Sequence, residues 1–106
     1  MKLSVLKRLK TVQLCEGFKG SMEDLGFIFK AIDKVRVGEE ERKELNFKVE
    51  GSTLTWNPEK EEDEKEFEFS GEEKRVLMGL LKKIDDDKAW AVDSKPLYEI
   101  YEELRK

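Results

Sequence analysis

The chain has 106 residues, of which 43% are charged and 38% are hydrophobic, and its formal net charge is −4. This length and apolar content predict one domain over residues 1–106 with a modest core, and the negative charge argues against general affinity for polyanions. The chain has no histidine, which removes the usual general base near neutral pH and the commonest zinc ligand.

The only cysteine, Cys15, has no intramolecular disulfide partner and stands beside Leu14 in an apolar stretch. A lone cysteine in such surroundings fits a reducing compartment and the role of a small buried hydrophobe. No apolar run approaches the roughly 18 to 20 residues that a membrane span needs, and the first residues lack the apolar core of a signal peptide. We therefore expect a cytoplasmic protein without a membrane contact.

Residues 3–14 repeat apolar positions at near-helical spacing, which predicts an amphipathic helix with the stripe Leu3, Leu6, Leu9 and Val12. Basic side chains lie largely away from this stripe, and residues 1–14 contain no acid. A solvated polar face is the commoner meaning of this pattern. The alternative is contact with nucleic-acid phosphates through Lys2, Lys7, Arg8 and Lys10.

A second helix is predicted after the glycine-containing turn of residues 16–20. Ser21 is suited to cap it, with Asp24 three positions later, and Gly38 ends it after about residue 37. Its apolar stripe consists of Leu25, Ile28, Phe29, Ile32 and Val35. Residues 39–45 then begin with acids and continue with bases, an order that suits the dipole of a short third helix.

Residues 46–69 change from helical spacing to alternation, which is the pattern of strands with one buried face. A two-residue turn of type II′ at Gly51-Ser52 fixes the register of the first two strands. It places two apolar pairs on one buried face: Val49 with Leu54, and Phe47 with Trp56. Phe67 and Phe69 face inward from a third strand, so the segment is predicted to be a three-stranded antiparallel meander.

An acidic stretch separates the second strand from the third. Asn57-Pro58 closes the second strand, and residues 59–66 hold six acids and two lysines. The plain interpretation is a solvated loop that leads into an edge strand whose charges discourage pairing. The sharper hypothesis is a docking surface for a basic partner protein, formed by Glu61, Glu62, Asp63, Glu64, Glu66 and Glu68.

The C-terminal third predicts two more helices. Ser70 and Glu73 form a capping box, followed by the stripe Val76, Leu77, Leu80, Leu81 and Ile84. The aspartates at 85–87 do not match the ligand spacing of a calcium loop, and Trp90 should anchor the following connection. Ser94 is suited to cap the last helix, whose stripe is Leu97, Ile100, Tyr101 and Leu104.

Several short stretches together resemble small uncharacterised proteins encoded by bacteriophages and prophages. They run from Glu44-Leu45-Asn46-Phe47-Lys48 through Gly51 and Trp56-Asn57 to Phe67-Glu68-Phe69 and Leu97-Tyr98-Glu99. The resemblance spans roughly residues 39–104 and carries no catalytic signature. It implies an accessory gene product that works inside a bacterial cell by binding something.

The sequence as a whole predicts an α+β fold with the meander at about residues 46–69 packed against N-terminal and C-terminal amphipathic helices. Phosphate-loop, dinucleotide, nucleophile-elbow and metal-binding spacings are absent from the sequence, so we expect neither enzyme activity nor a cofactor. The leading hypothesis is a non-catalytic module that binds a host protein through the acidic surface. The alternatives are a nucleic-acid-associated regulator using the basic N-terminal helix and a self-assembling protein such as a homodimer.

Overall fold

A computed structural model describes residues 1–56 and 64–106. The predicted turn at Asn57-Pro58 and the acidic residues Glu61, Glu62 and Asp63 lie outside the described residues. The described elements follow one another as β1 (Lys2–Ser4), α1 (Val5–Glu16), α2 (Met22–Val35), α3 (Glu39–Glu44), β2 (Lys48–Glu50), β3 (Thr53–Thr55), β4 (Glu64–Glu66), α4 (Gly71–Asp86), a 3-10 turn (Val92–Ser94) and α5 (Lys95–Leu104). The α+β prediction is confirmed at this level.

Four helices surround the main apolar core. α2 packs against α1 and α4, and α5 packs against α1 and α4. The buried positions on α2 and α4 repeat at helical spacing and are Ile28, Ala31, Val35, Val76, Leu77 and Leu81. The predicted stripe of α2 is correct except at Phe29, which is 57% exposed. No helix within the described ranges is long and apolar enough to cross a bilayer.

The prediction of a three-stranded meander is wrong. β2 and β3 form a hairpin of their own, whereas β4 pairs antiparallel with β1, placing Leu3 opposite Lys65. Residues 2–4 are extended rather than helical because Ser4 caps α1, and its Oγ accepts a hydrogen bond from Lys7 N at 3.3 Å. α1 therefore begins at Val5, and Leu3 is buried in the core from a strand.

The predicted third strand lies earlier in the chain than expected. β4 ends at Glu66, and the residues after it lie outside a strand. The ladder with the N-terminal segment continues for one step, since Phe67 N donates to Met1 O at 2.8 Å. Phe69 is buried as predicted, and Phe67 is half-buried.

The hairpin has the predicted register but not the predicted burial. Val49 pairs with Leu54, and the rings of Phe47 and Trp56 lie 5.8 Å apart. Gly51 adopts a φ of +63° in the first loop position, the left-handed region that glycine tolerates best. However, Val49 is 73% exposed and Leu54 is 37% exposed. The prediction that this pair shares a buried face with Phe47 and Trp56 is therefore wrong.

The predicted N-caps Ser21 and Ser70 are confirmed, whereas the prediction that Gly38 ends the second helix is wrong, because α2 ends at Val35 and Gly38 precedes α3. Glu73 N donates to Ser70 Oγ at 3.1 Å, and Ser70 N donates to Glu73 Oε1 at 3.0 Å, which completes the capping box. Asp24 N donates to Ser21 Oγ at 3.1 Å. Ser94 occupies the predicted N-cap position of α5, but its side chain makes no capping bond there and instead accepts from Ala91 N at 3.4 Å.

The predicted buried stripe of α1 is correct only in part. Leu3 is buried, Val12 packs against the main core, and Leu9 packs against a second cluster formed by Val5, Val37 and Leu45. The buried residues of α1 are Val5, Arg8, Thr11 and Cys15, whereas Leu6, Leu9 and Val12 are half-buried. β1 removes Leu3 from the helix, and the helix turns Arg8 inward instead. Cys15 is buried as expected, and burial, assisted by the charge of Glu16, raises the pKa of its thiol to about 12.

The last connection is anchored as the sequence predicts. The Trp90 ring stacks on Tyr101 with centroids 5.9 Å apart, and its indole N–H donates to Asp85 Oδ1 at 3.2 Å. These contacts join the end of α4 to the second half of α5. Val92 beside it is 98% exposed.

Two glycine substitutions should have opposite effects on stability. Gly79 lies inside α4 with open space around it, so Gly79→Ala should raise the free energy of unfolding by about 0.5–1 kcal/mol. Gly51 also has open space but a positive φ, so Gly51→Ala should lower that free energy by about 1–2 kcal/mol. Urea denaturation of both variants measures the difference, and equal effects would contradict the hairpin geometry.

Candidate functional site

Arg8 joins three segments of the chain from a buried position. Its side chain projects from α1 and is almost entirely shielded from solvent. Its Nε donates to Val35 O at 2.8 Å and its Nη2 donates to Arg36 O at 3.0 Å. Both terminal nitrogens also donate to the carboxylate of Glu41, with Nη2 at 2.9 Å from Oε1. α1, the end of α2 and α3 are therefore bound to one guanidinium.

Glu41 connects this guanidinium to β4. Lys65 Nζ lies 3.2 Å from Glu41 Oε2, and the Phe67 ring lies 5.1 Å from the guanidinium carbon of Arg8. Hydrogen bonding from Arg8 is the main cause that lowers the pKa of Glu41, and Lys65 acts in the same direction. The sequence related the acids of residues 39–41 only to the dipole of a short helix, so this contact was missed.

A second ion pair fixes the segment that follows β4. Glu73 is buried and accepts from Lys34 Nζ, which also donates to Glu68 O at 2.9 Å. Burial alone raises the pKa of Glu73, but the bonds from Lys34 and Ser70 outweigh it, so the pKa lies below its usual value. The backbone at Glu68 is thereby attached to α2 and α4.

The described part of the predicted acidic surface is exposed. Glu64 and Glu66 lie two residues apart on β4, which places them on one face, and Glu68 follows them. Glu66, Glu68 and Glu103 border an open depression of about 430 Å³. Its lining also includes apolar side chains from Phe67, Phe69 and Leu104 and two bases, Lys74 and Lys106. Glu103 was not among the predicted site residues.

The four predicted nucleic-acid contacts do not share one exposed face. Lys2 is exposed, and Lys10 is half-buried. Lys7 Nζ lies 3.7 Å from Glu99 Oε2. The expectation that Arg8 is solvated is wrong, because Arg8 is 3% exposed and its donors are occupied. Nucleic-acid contact at the remaining lysines stays a prediction.

Within residues 1–56 and 64–106, no group of three histidine, cysteine or acidic side chains is placed to hold a metal ion. The Cys15 thiol is buried, and its raised pKa keeps it protonated near neutral pH. A protonated, buried thiol is a poor nucleophile.

Comparison with protein-family models, with curated proteins and with solved structures found no match. The resemblance to phage and prophage proteins therefore stays a prediction. The case for function rests on the surfaces that the described residues form.

The Glu41 ion pair should make stability depend on pH. Because its pKa is lower in the folded chain than the ordinary value of 4.5, its stabilisation is present above that value and is lost as pH falls through the folded pKa. The free energy of unfolding of Glu41→Gln should thus change less than that of the wild type between about pH 6 and about pH 3. Urea denaturation at the two pH values measures this.

Glu40→Gln is the matched control for this experiment, since Glu40 is exposed on the same helix. This variant should retain the pH dependence of the wild type. Parallel pH dependence for Glu41→Gln and the wild type would show that the carboxylate is not stabilised by Arg8.

Proposed function

We propose that the chain is a non-catalytic protein-binding module that contacts a basic partner protein through an acidic strip. The strip is defined as Glu64, Glu66, Glu68 and Glu103. The single observation that carries the proposal is that three of these carboxylates border one open depression with phenylalanine and leucine side chains in its lining. A site with apolar lining and charged edges suits recognition of another protein, in which apolar contact supplies affinity and charge supplies specificity.

The attachment of the strip to the core supports this proposal. Lys65 on β4 bonds to Glu41, and the Glu68 carbonyl accepts from Lys34. These two contacts attach residues 65–68 of the strip to the core while Glu64, Glu66 and Glu68 remain exposed. A surface that is already ordered loses less conformational entropy when it binds.

The same depression also indicates what kind of partner fits. Lys74, Lys106 and the Met1 ammonium, which pairs with Glu66, line it together with the three acids, so the depression itself has no excess of acids. A long run of positive charges would meet these two lysines. We therefore propose a partner that inserts an apolar side chain flanked by one or two arginines or lysines.

The biological setting is proposed on sequence grounds. The resemblance to phage and prophage products favours a small accessory protein that acts on a host protein in the bacterial cytoplasm. The lone buried cysteine agrees with a reducing compartment. Identification of the partner tests this setting directly.

Charge reversal of the strip should abolish partner capture. The test variant is Glu64→Lys with Glu68→Lys and Glu103→Lys, which leaves Glu66 and its contact with the N-terminal segment unchanged. The matched control reverses three exposed acids elsewhere, Glu39, Asp86 and Asp87. Both variants change the formal net charge from −4 to +2, so a general charge effect would appear in both.

Immobilised wild type, strip variant and control are incubated with bacterial lysate, and retained proteins are quantified by mass spectrometry at low and high salt. Wild type and control should retain the same partner, the strip variant should retain at least about tenfold less, and added salt should weaken retention. The proposal would be refuted if a folded strip variant retained as much of the partner as the wild type does, or if no protein were retained by the wild type and lost by the strip variant.

A further inference from the structure

α1 presents a second apolar face that the core covers only in part, since Val12 packs against the main core and Leu9 against a smaller cluster of Val5, Val37 and Leu45. Leu6, Leu9 and Val12 recur every three residues and are half-buried. They line a groove of about 590 Å³ whose other apolar walls are Val37 and the hairpin residues Leu54 and Trp56. Leu6, Leu9 and Val12 thus keep part of their apolar surface open to the groove.

The hairpin extends this apolar surface beyond the groove. Val49 and Leu54 are opposite each other in the register and are 73% and 37% exposed. Leu54 also borders an adjoining depression that contains Phe47 and Val49. Exposed apolar side chains that adjoin a groove are typical of an interaction site rather than of an isolated surface residue.

The charges around this surface are mostly positive. Lys10, Arg36 and Arg42 line the groove together with one acid, Glu16, and Arg42 and Lys43 line the adjoining depression. The chain as a whole has 25 acids and 21 bases, so this local excess of bases runs against the overall charge. Arg36 lies 4.0 Å from exposed Asp33, a solvated pair that an incoming carboxylate can replace.

We propose that this groove binds an acidic amphipathic helix of another protein. The leucine and valine stripe of α1 runs for about 9 Å along the groove, and a helix laid beside it would place apolar side chains against Leu54 and Trp56 and carboxylates against the surrounding bases. The groove is separate from the acidic strip. It would bind an acidic segment, whereas the strip would bind a basic one.

Two other occupants fit the surface less well. Nucleic acid would pair with the bases, but phosphates gain nothing from the aliphatic side chains of Leu6, Leu9 and Val12. A second copy of the chain docked symmetrically through the groove would bring its bases against the same bases of its partner. An acidic helix satisfies both the apolar lining and the charge.

The probe is a fluorescein-labelled synthetic helix with leucine on one face and glutamate elsewhere, and its matched counterpart carries lysine in place of glutamate. Fluorescence anisotropy should show saturable binding of the glutamate peptide and at least about tenfold weaker binding of the lysine peptide. Val49→Ser with Leu54→Ser should weaken binding of the glutamate peptide by about tenfold or more.

Two further variants distinguish loss of the binding site from a general effect of the substitutions on the protein. Met22→Ser with Val92→Ser removes side chains that are 90% and 98% exposed elsewhere, and it should leave affinity within about twofold of the wild type. Lys10→Glu with Lys43→Glu keeps the apolar lining and should shift preference toward the lysine peptide. The strip variant should bind the glutamate peptide as well as the wild type does, so this inference and the proposed function fail separately.

Four results would overturn the inference. They are absence of glutamate-peptide binding, binding that the Val49 and Leu54 substitutions do not weaken, equal affinity for the lysine peptide, and displacement of the glutamate peptide by a single-stranded oligonucleotide. Sedimentation velocity adds a fifth: self-association that Val49→Ser with Leu54→Ser abolishes would assign the groove to a second copy of the chain.

Discussion

The buried guanidinium of Arg8 is the interaction on which the arrangement of the other elements depends. A buried charge is tolerated only when its donors are paired, and here the acceptors come from the end of α2 and from Glu41 of α3. Since no single segment supplies all of them, the segments stabilise one another. Lys65 and Phe67 bring the β4 region to the same cluster.

This buried contact also determines which side chains the surface presents. With Arg8 turned inward, the stripe of Leu6, Leu9 and Val12 faces the groove beside the hairpin. Lys65 turns toward Glu41, and its neighbours Glu64 and Glu66 remain exposed. The apolar groove with its bases and the acidic strip share no lining residue, so one fold carries two surfaces of opposite charge.

Sequence reasoning succeeded where the deciding interaction is local. The capping box at Ser70 and Glu73 and the hairpin register around Gly51 depend on residues a few positions apart. It failed where partners are distant. β1 (Lys2–Ser4) and β4 (Glu64–Glu66) are far apart in the chain, and strands of three residues are too short to show alternation. On α1 the set Val5, Arg8, Thr11 and Cys15 repeats much like Leu3, Leu6, Leu9 and Val12. Apolarity favoured the second set, because the groups that explain a buried arginine, Val35 O, Arg36 O and the Glu41 carboxylate, lie 27 to 33 residues away.

A double-mutant cycle on Arg8 and Glu41 tests this account most directly. Arg8→Met and Glu41→Met each leave one buried or partly buried charge without its partner, whereas the double variant leaves neither. Urea denaturation gives the free energy of unfolding of each variant. The loss in the double variant should be smaller than the sum of the losses in the two single variants by at least about 1.5 kcal/mol. If the loss in the double variant equals the sum of the two single losses within about 0.5 kcal/mol, the two side chains stabilise the fold independently, which would contradict the central place given to their ion pair.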